Sequence, residues 1–173
     1  PFDYSRRRDT VIVEQNGQHL MISKGATEEL LTVCEFIAEI GGTRIPLEAG
    51  TRSKIIDLYK SLSSDGFRVL AIAIKEISNP KKTYEGGDET NMVFQGFVAF
   101  FDPPKKTVTE TLRYLKEHGV EIKILTGDNE LVTKKVASEI NLQVEGVLTG
   151  PEIELMNDDE LALHVKKTNI FAR

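Results

Sequence analysis

The chain has 173 residues, enough for one ordinary domain or two small ones, and its 40% hydrophobic and 28% charged content is that of a folded globular protein. A net charge of −5, from 22 basic and 27 acidic residues, argues against a nucleic-acid binder working by broad phosphate neutralisation, but leaves room for a local basic pocket. A single cysteine, Cys34, excludes an internal disulfide, three scattered histidines without a CxxC pair argue against zinc, and the longest apolar runs, such as GFVAFF at 96–101, fall far short of the roughly 20 residues that span a bilayer.

The first residues, PFDYSRRR, show no Met and no signal-peptide pattern, so the chain is expected to be a piece of a longer one. TVIVEQ and QHLMIS flank Asn16-Gly17, the preferred pair for a tight hairpin. Leu30, Leu31, Cys34, Ile37 and Ala38 recur at helical spacing and predict a helix over 27–40, with Thr27 as N-cap, Cys34 in the core and Gly41-Gly42 as the stop. A second helix is expected over 51–64, with Ile55, Ile56, Leu58, Tyr59 and Leu62 inward. Strands follow at 68–77 and 92–101, separated by an aperiodic loop, SNPKKTYEGGDETN. These elements suggest an antiparallel α+β layer.

The pattern changes at Asp102-Pro103-Pro104, where two prolines forbid regular pairing. Beyond it come a helix at 105–118, a strand at 120–125, a helix at 129–140, a strand at 145–148, a helix at 157–167 and a strand at 169–172. Such alternation marks a parallel sheet with crossover helices. A domain boundary is therefore placed at 102–104.

Four stretches carry groups suited to an anionic ligand. Thr126-Gly127-Asp128-Asn129 ends a short apolar strand, where ligands of parallel sheets bind, and Gly127 allows close backbone approach. The plainer reading is that Asp128 or Asn129 caps the next helix. Phe2 could stack on a base beside Arg6, Arg7 and Arg8, although strand alternation would turn Arg7 away from the other two; a solvated strand entry is the alternative. Lys24 and Gly25 combine a point charge with a glycine near a helix start, without the GxxxxGK[ST] pattern of a P-loop; an exposed hairpin lysine is the rival. Arg68, after Gly66-Phe67, is a weak signal alone. No Ser/His/Asp arrangement, metal-ligand cluster or activated cysteine is apparent.

Taken in order, PFDYSRRR (1–8), SKGA (23–26), GFRVLA (66–71), FFDPPKK (100–106), ILTGDN (124–129) and NIFAR (169–173) resemble the cytoplasmic part of P-type ion-transporting ATPases. The resemblance covers essentially the whole chain, and DPP followed about twenty residues later by TGDN is its most specific pair. FDYSRRR and ILTGDNELVTKKVASEINL look most like the bacterial magnesium-transporting branch. The fold this implies is α/β: an antiparallel-sheet α+β nucleotide-binding domain over 1–101, lacking its start. A hinge at 102–104 leads to a partial Rossmann-like, haloacid-dehalogenase-type parallel α/β domain over 105–173.

The resemblance also implies roles. Phe2 matches the aromatic that stacks on adenine, Arg7 a basic residue of the same pocket, Lys24 and Gly25 its lining, and Arg68 an arginine that reaches the phosphates. Asp102, Pro103 and Pro104 match the hinge, while Thr126, Gly127 and Asp128 match supporting residues near the phosphates and Mg²⁺. Asp9 and Thr10 stand where methionine and serine are common, which leaves the alignment of Arg7 open by one position. The family's DKTGT segment, with its phosphoacceptor, and its GDGxND segment do not occur in these 173 residues. The expectation is thus a piece that binds ATP with Mg²⁺ weakly and does not turn it over. Its parent would be a cation-transporting ATPase at the cytoplasmic face of the cell membrane. Its expected partners are ATP and the parent's actuator domain and membrane helices, with no nucleic acid; a dimer through a truncated sheet edge is also expected. A non-enzymatic nucleotide-sensing module, or a calcium- or other cation-transporting branch, are the alternatives.

Overall fold

The computed structural model describes residues 6–173. Among the described residues two compact units form, one from 6–59 together with 69–99, the other from 60–68 and 100–173.

The first unit is built on a hairpin of β1 (Arg8–Gln15) and β2 (Gln18–Gly25), in full antiparallel register from Arg8 opposite Gly25 to Gln15 opposite Gln18. Asn16 and Gly17 turn it with φ of 55° and 75°, the left-handed pair that matches the twist of a two-residue hairpin. Then come α1 (Thr27–Thr32), β3 (Cys34–Ala38), β4 (Arg44–Pro46), α2 (Ala49–Ser64), β5 (Phe67–Ile77) and β6 (Met92–Phe101). The strands make one sheet in the order β1-β2-β5-β6-β3-β4. It is mainly antiparallel, but β3 runs parallel to β6, with Phe36 opposite Val93 and Ile37 opposite Phe94.

The expected helix over 27–40 is therefore wrong in its second half. Val33, Phe36 and Ile37 are β-branched or aromatic, and a free strand edge at β6 outbids a second helical turn for them. The guanidinium of Arg52, on α2, bonds the carbonyls of Leu31 and Cys34, serving as the end-stop of α1. Gly41 and Gly42, both at positive φ, turn β3 into β4 instead of ending a helix. Thr27 is not the N-cap; Ala26 is, and Thr27 is buried with no partner for its hydroxyl among the described residues. Met21, Leu30, Leu31, Cys34, Met92 and Phe94 form the centre of the core, with Ile55 from α2 against them. Ile55 and Tyr59 set the buried stripe of α2, one helical turn apart. Leu58, expected inward, falls outside that stripe and is exposed.

The second unit contains α3 (Val108–Glu117), β7 (Ile124–Leu125), α4 (Glu130–Glu139), β8 (Val147–Thr149), α5 (Gly150–Glu154), α6 (Asp158–Val165) and β9 (Ile170–Ala172). Its strands form a parallel sheet in the order β7-β9-β8. The strand expected over 120–125 pairs only at its last two residues. The short α5 was not anticipated, although its signal is in the sequence: Thr149 and Glu152 make a reciprocal capping box, with Pro151 in the first turn. Among the described residues, no helix is long and apolar enough to cross a membrane.

Candidate functional site

The first unit gathers Arg7, Lys24 and Gly25 at one end of the β1–β2 hairpin. The N–H of Ala26 donates to the Arg7 carbonyl at 3.0 Å, closing that end. Gly25 packs so tightly there that a Cβ would lie 2.6 Å from the Arg7 carbonyl oxygen and from the Arg8 Cβ. The glycine of SKGA is thus required by a backbone crossing within the hairpin itself. Arg7 and Lys24 are both exposed. Phe2 lies outside the described residues.

Arg7 is presented by its neighbours. It sits at φ 48°, left-handed and costly for a residue with a Cβ, so the surroundings must hold it there. Arg6 Nη1 and Arg8 Nε both donate to Oε2 of Glu89, at 2.6 and 2.5 Å, and Thr10 Oγ1 donates to Oε1 at 2.7 Å. Ser23 Oγ lies 2.8 Å from Thr10 Oγ1 and extends the network. Glu89 is only 4% exposed. Burial pushes its carboxyl up, but the hydrogen bonds from Arg6, Arg8 and Thr10 outweigh this and hold it below its ordinary 4.5. Arg6 and Arg8 share one carboxylate and Arg7 is exposed, but residues 6 and 7 form a turn ahead of β1, so the separation comes from that turn and not from the strand alternation anticipated in the sequence. Glu89 itself was missed, because it sits in the aperiodic stretch before β6, where nothing in the spacing marks an anchor.

In the second unit, the turn after β7 resolves the ambiguity between its two polar residues. Asn129 is the helix cap: its Oδ1 accepts from the Val132 N–H at 2.9 Å, and its carbonyl accepts from Thr133 Oγ1. Its Nδ2 donates to Ser63 Oγ at 3.2 Å. Asp128 is thereby left for other work. Its Oδ2 accepts from Arg68 Nη2 at 2.9 Å, and its backbone N–H donates to Thr126 Oγ1 at 3.1 Å. Arg68 Nη1 also lies 3.4 Å from Asp102 Oδ2. The structure so brings together Arg68, Asp102, Thr126 and Asp128, four residues singled out separately in the sequence. A Cβ on Gly127 would meet nothing within 4 Å, so that face of the turn is open. Pro103 and Pro104 lie in the irregular link between β6 and α3.

The same unit holds a hollow of about 530 Å³ against α3, lined by Leu112, Lys116, Val120, Ile122, Ile140 and Leu142 among others. It lies on the side where β7, β8 and β9 begin, whereas the TGD turn follows the end of β7. No group of three or more His, Cys, Asp and Glu among the described residues is arranged to hold a metal ion.

Residues 1–107 match the family described as P-type ATPase, cytoplasmic domain N. The chain belongs to the P-type ATPase family. Over its full length it is 40% identical to the magnesium-transporting ATPase, P-type 1, of Escherichia coli (strain K12), and 38% identical to that of Salmonella typhimurium. It is 29% identical to the calcium-transporting ATPase 1 of Lactococcus lactis subsp. lactis, again over the whole chain. It spans about a fifth of the length of these P-type ATPases, 19% of the first two and 20% of the third. Its mainly antiparallel first sheet is consistent with a nucleotide-binding domain.

Proposed function

We propose that this chain is the ATP-binding piece of a cation-transporting P-type ATPase, magnesium-transporting by its similarity, which positions ATP for phosphoryl transfer to an aspartate outside these 173 residues. The observation that carries the reading is Arg7. An exposed arginine held at a costly backbone angle, beside Lys24, in a segment that matches cytoplasmic domain N, is a cation kept in place for an anionic partner. Phe2 would stack on the adenine, and Lys24 and Gly25 would line the same pocket.

Asp102-Pro103-Pro104 would be the hinge between residues 1–101 and a haloacid-dehalogenase-type domain over 105–173. Arg68 would contribute to phosphate binding, with Thr126, Gly127 and Asp128 as supporting residues. The donor set of the first unit fits an anionic ligand: Arg7 and Lys24 are exposed cations. Mg²⁺, arriving with the nucleotide, would neutralise phosphate charge. The chain's own residues then have a positioning task, binding the base and orienting the phosphates. The parent would work at the cytoplasmic face of the membrane with its actuator domain and membrane helices. The 173 residues alone would bind ATP without hydrolysing it.

The test is an amide NMR titration with Mg²⁺-ATP. Shifts should concentrate in residues 6–8 and 23–26, and Lys24→Ala should weaken binding by roughly tenfold, the scale of one charge-assisted contact. Shifts that avoid both segments, or sustained ATP hydrolysis by the chain, would sink the reading.

A further inference from the structure

Glu89 lies in none of the motifs that mark the family resemblance, yet three of the residues around Arg7 converge on it. It follows a 3-10 turn at Gly86–Asp88, where Glu85 and Asp88 cap one another. Lys75 Nζ donates to the Asp88 carbonyl at 3.0 Å, which fixes the chain just before the carboxylate. The carboxylate then accepts Arg6, Arg8 and Thr10 from a segment about eighty positions earlier. Arg8 Nη1 also reaches the Glu29 carbonyl at 3.3 Å.

The geometry points to Glu89 as the positioning residue of the nucleotide pocket: by gripping Arg6 and Arg8 on one buried oxygen, it forces Arg7 outward. Arg6 and Arg8 close on the same buried Oε2 on either side of a residue in the left-handed region, a conformation costly for a side chain with a Cβ, so their two bonds to Glu89 are what holds it there. The left-handed turn at Arg7 falls between these two anchored arginines. Its carbonyl is then aimed at the Ala26 N–H, and the close crossing at Gly25 follows. Glu89 touches no ligand in this scheme; it acts through Arg7. The inference rests on the reading of Arg7 as a nucleotide contact.

Two readouts separate the anchor from that reading. In Glu89→Gln the shape is kept and the charge removed. The Ala26 amide should exchange with solvent at least tenfold faster and the Arg7 backbone shifts should move, while amides at the Asn16-Gly17 turn stay unchanged. Mg²⁺-ATP should bind roughly tenfold more weakly, and Arg7→Ala/Glu89→Gln should be no weaker than Arg7→Ala alone. An unchanged Ala26 amide and unchanged Arg7 shifts would overturn the anchor, as would losses that multiply in the double variant. If Arg7→Ala binds ATP like the parent, the nucleotide reading fails, and the Ala26 amide still decides whether Glu89 sets Arg7.

Gly86→Ala is a second probe should Glu89→Gln fold poorly. Its Cβ would come within 2.8 Å of Arg6 Nη1, pressing on the far end of a flexible side chain. The same changes, several-fold smaller, are expected; a silent Gly86→Ala would count against the grip on Arg6.

Discussion

The two units solve the problem of burial differently. In the first, residues from β2, α1, β3, β5 and β6 meet in a continuous core around Leu30, Met21 and Met92. In the second, the buried apolar cluster is Ala137, Ile170 and Ala172, while Tyr114, Val120, Leu125, Leu155 and Leu163 face solvent, Leu125 at 78%. The comparison teaches that local structure and a packed interior are separable. The second unit has well-capped helices and a parallel sheet around a smaller apolar cluster, with Val132, Ile140 and Leu148 buried outside it.

The largest effect should come from attacking each core in turn. Leu30→Ala should cost about 2–5 kcal/mol of the first unit's stability, the range for an emptied core position. Cys34 is a convenient reporter: burial pushes its thiol up to about 11, so alkylation near neutral pH should await opening of the first unit. In Ile170→Ala the Thr126 amide, bonded to the Phe171 carbonyl, should lose protection while Cys34 stays unreactive. A single urea transition in which both reporters move together would break the contrast.

Acid should act next, and on the first unit. The folded Glu89 carboxyl lies below its ordinary 4.5, so its contribution is complete above about that pH and is lost as pH falls further through the folded value. Melts of Glu89→Gln and the parent should therefore differ near neutrality and converge in acid. A constant difference would place the acid sensitivity elsewhere.

The smallest effects concern the second unit's surface. Asn129→Ala removes a helix cap and should cost about 1 kcal/mol. Arg68→Ala breaks ion pairs in which Arg68 is 51% exposed, and should cost roughly 0–1 kcal/mol in melts while weakening ATP binding. A larger stability loss for Arg68 than for Asn129 would reverse the view of that cluster as a surface one.

How much of this could be read from the residues depended on range. The Asn16-Gly17 hairpin and the strand at Met92–Phe101 were legible because turn chemistry and β-rich runs are local signals. Helix α1 was overextended because Cys34, Ile37 and Ala38 satisfy helical spacing, while the partner that makes them a strand lies about sixty residues away. Among the site residues, Lys24, Gly25 and the TGD turn were visible as short motifs. Gly25 proved to answer a backbone crossing, and Asp128 a pairing with Arg68, neither of which spacing can show. Glu89 was invisible for the same reason as β3: its partners are distant in sequence.

The placement of β6 has a consequence for how the molecule is made. It is the last strand of its sheet in the sequence, yet it sits inside, between β5 and β3. The β1–β2 hairpin can close early on its own turn, but β3 and β4 have no sheet to join until residue 101 is synthesised. Loop-closure entropy for that long-range pairing must be met before its contacts form, which makes insertion of β6 the expected slow step. Until then β5 and β3 both present unpaired backbone, so the newborn chain is most prone to associate with other chains just before its sheet is joined.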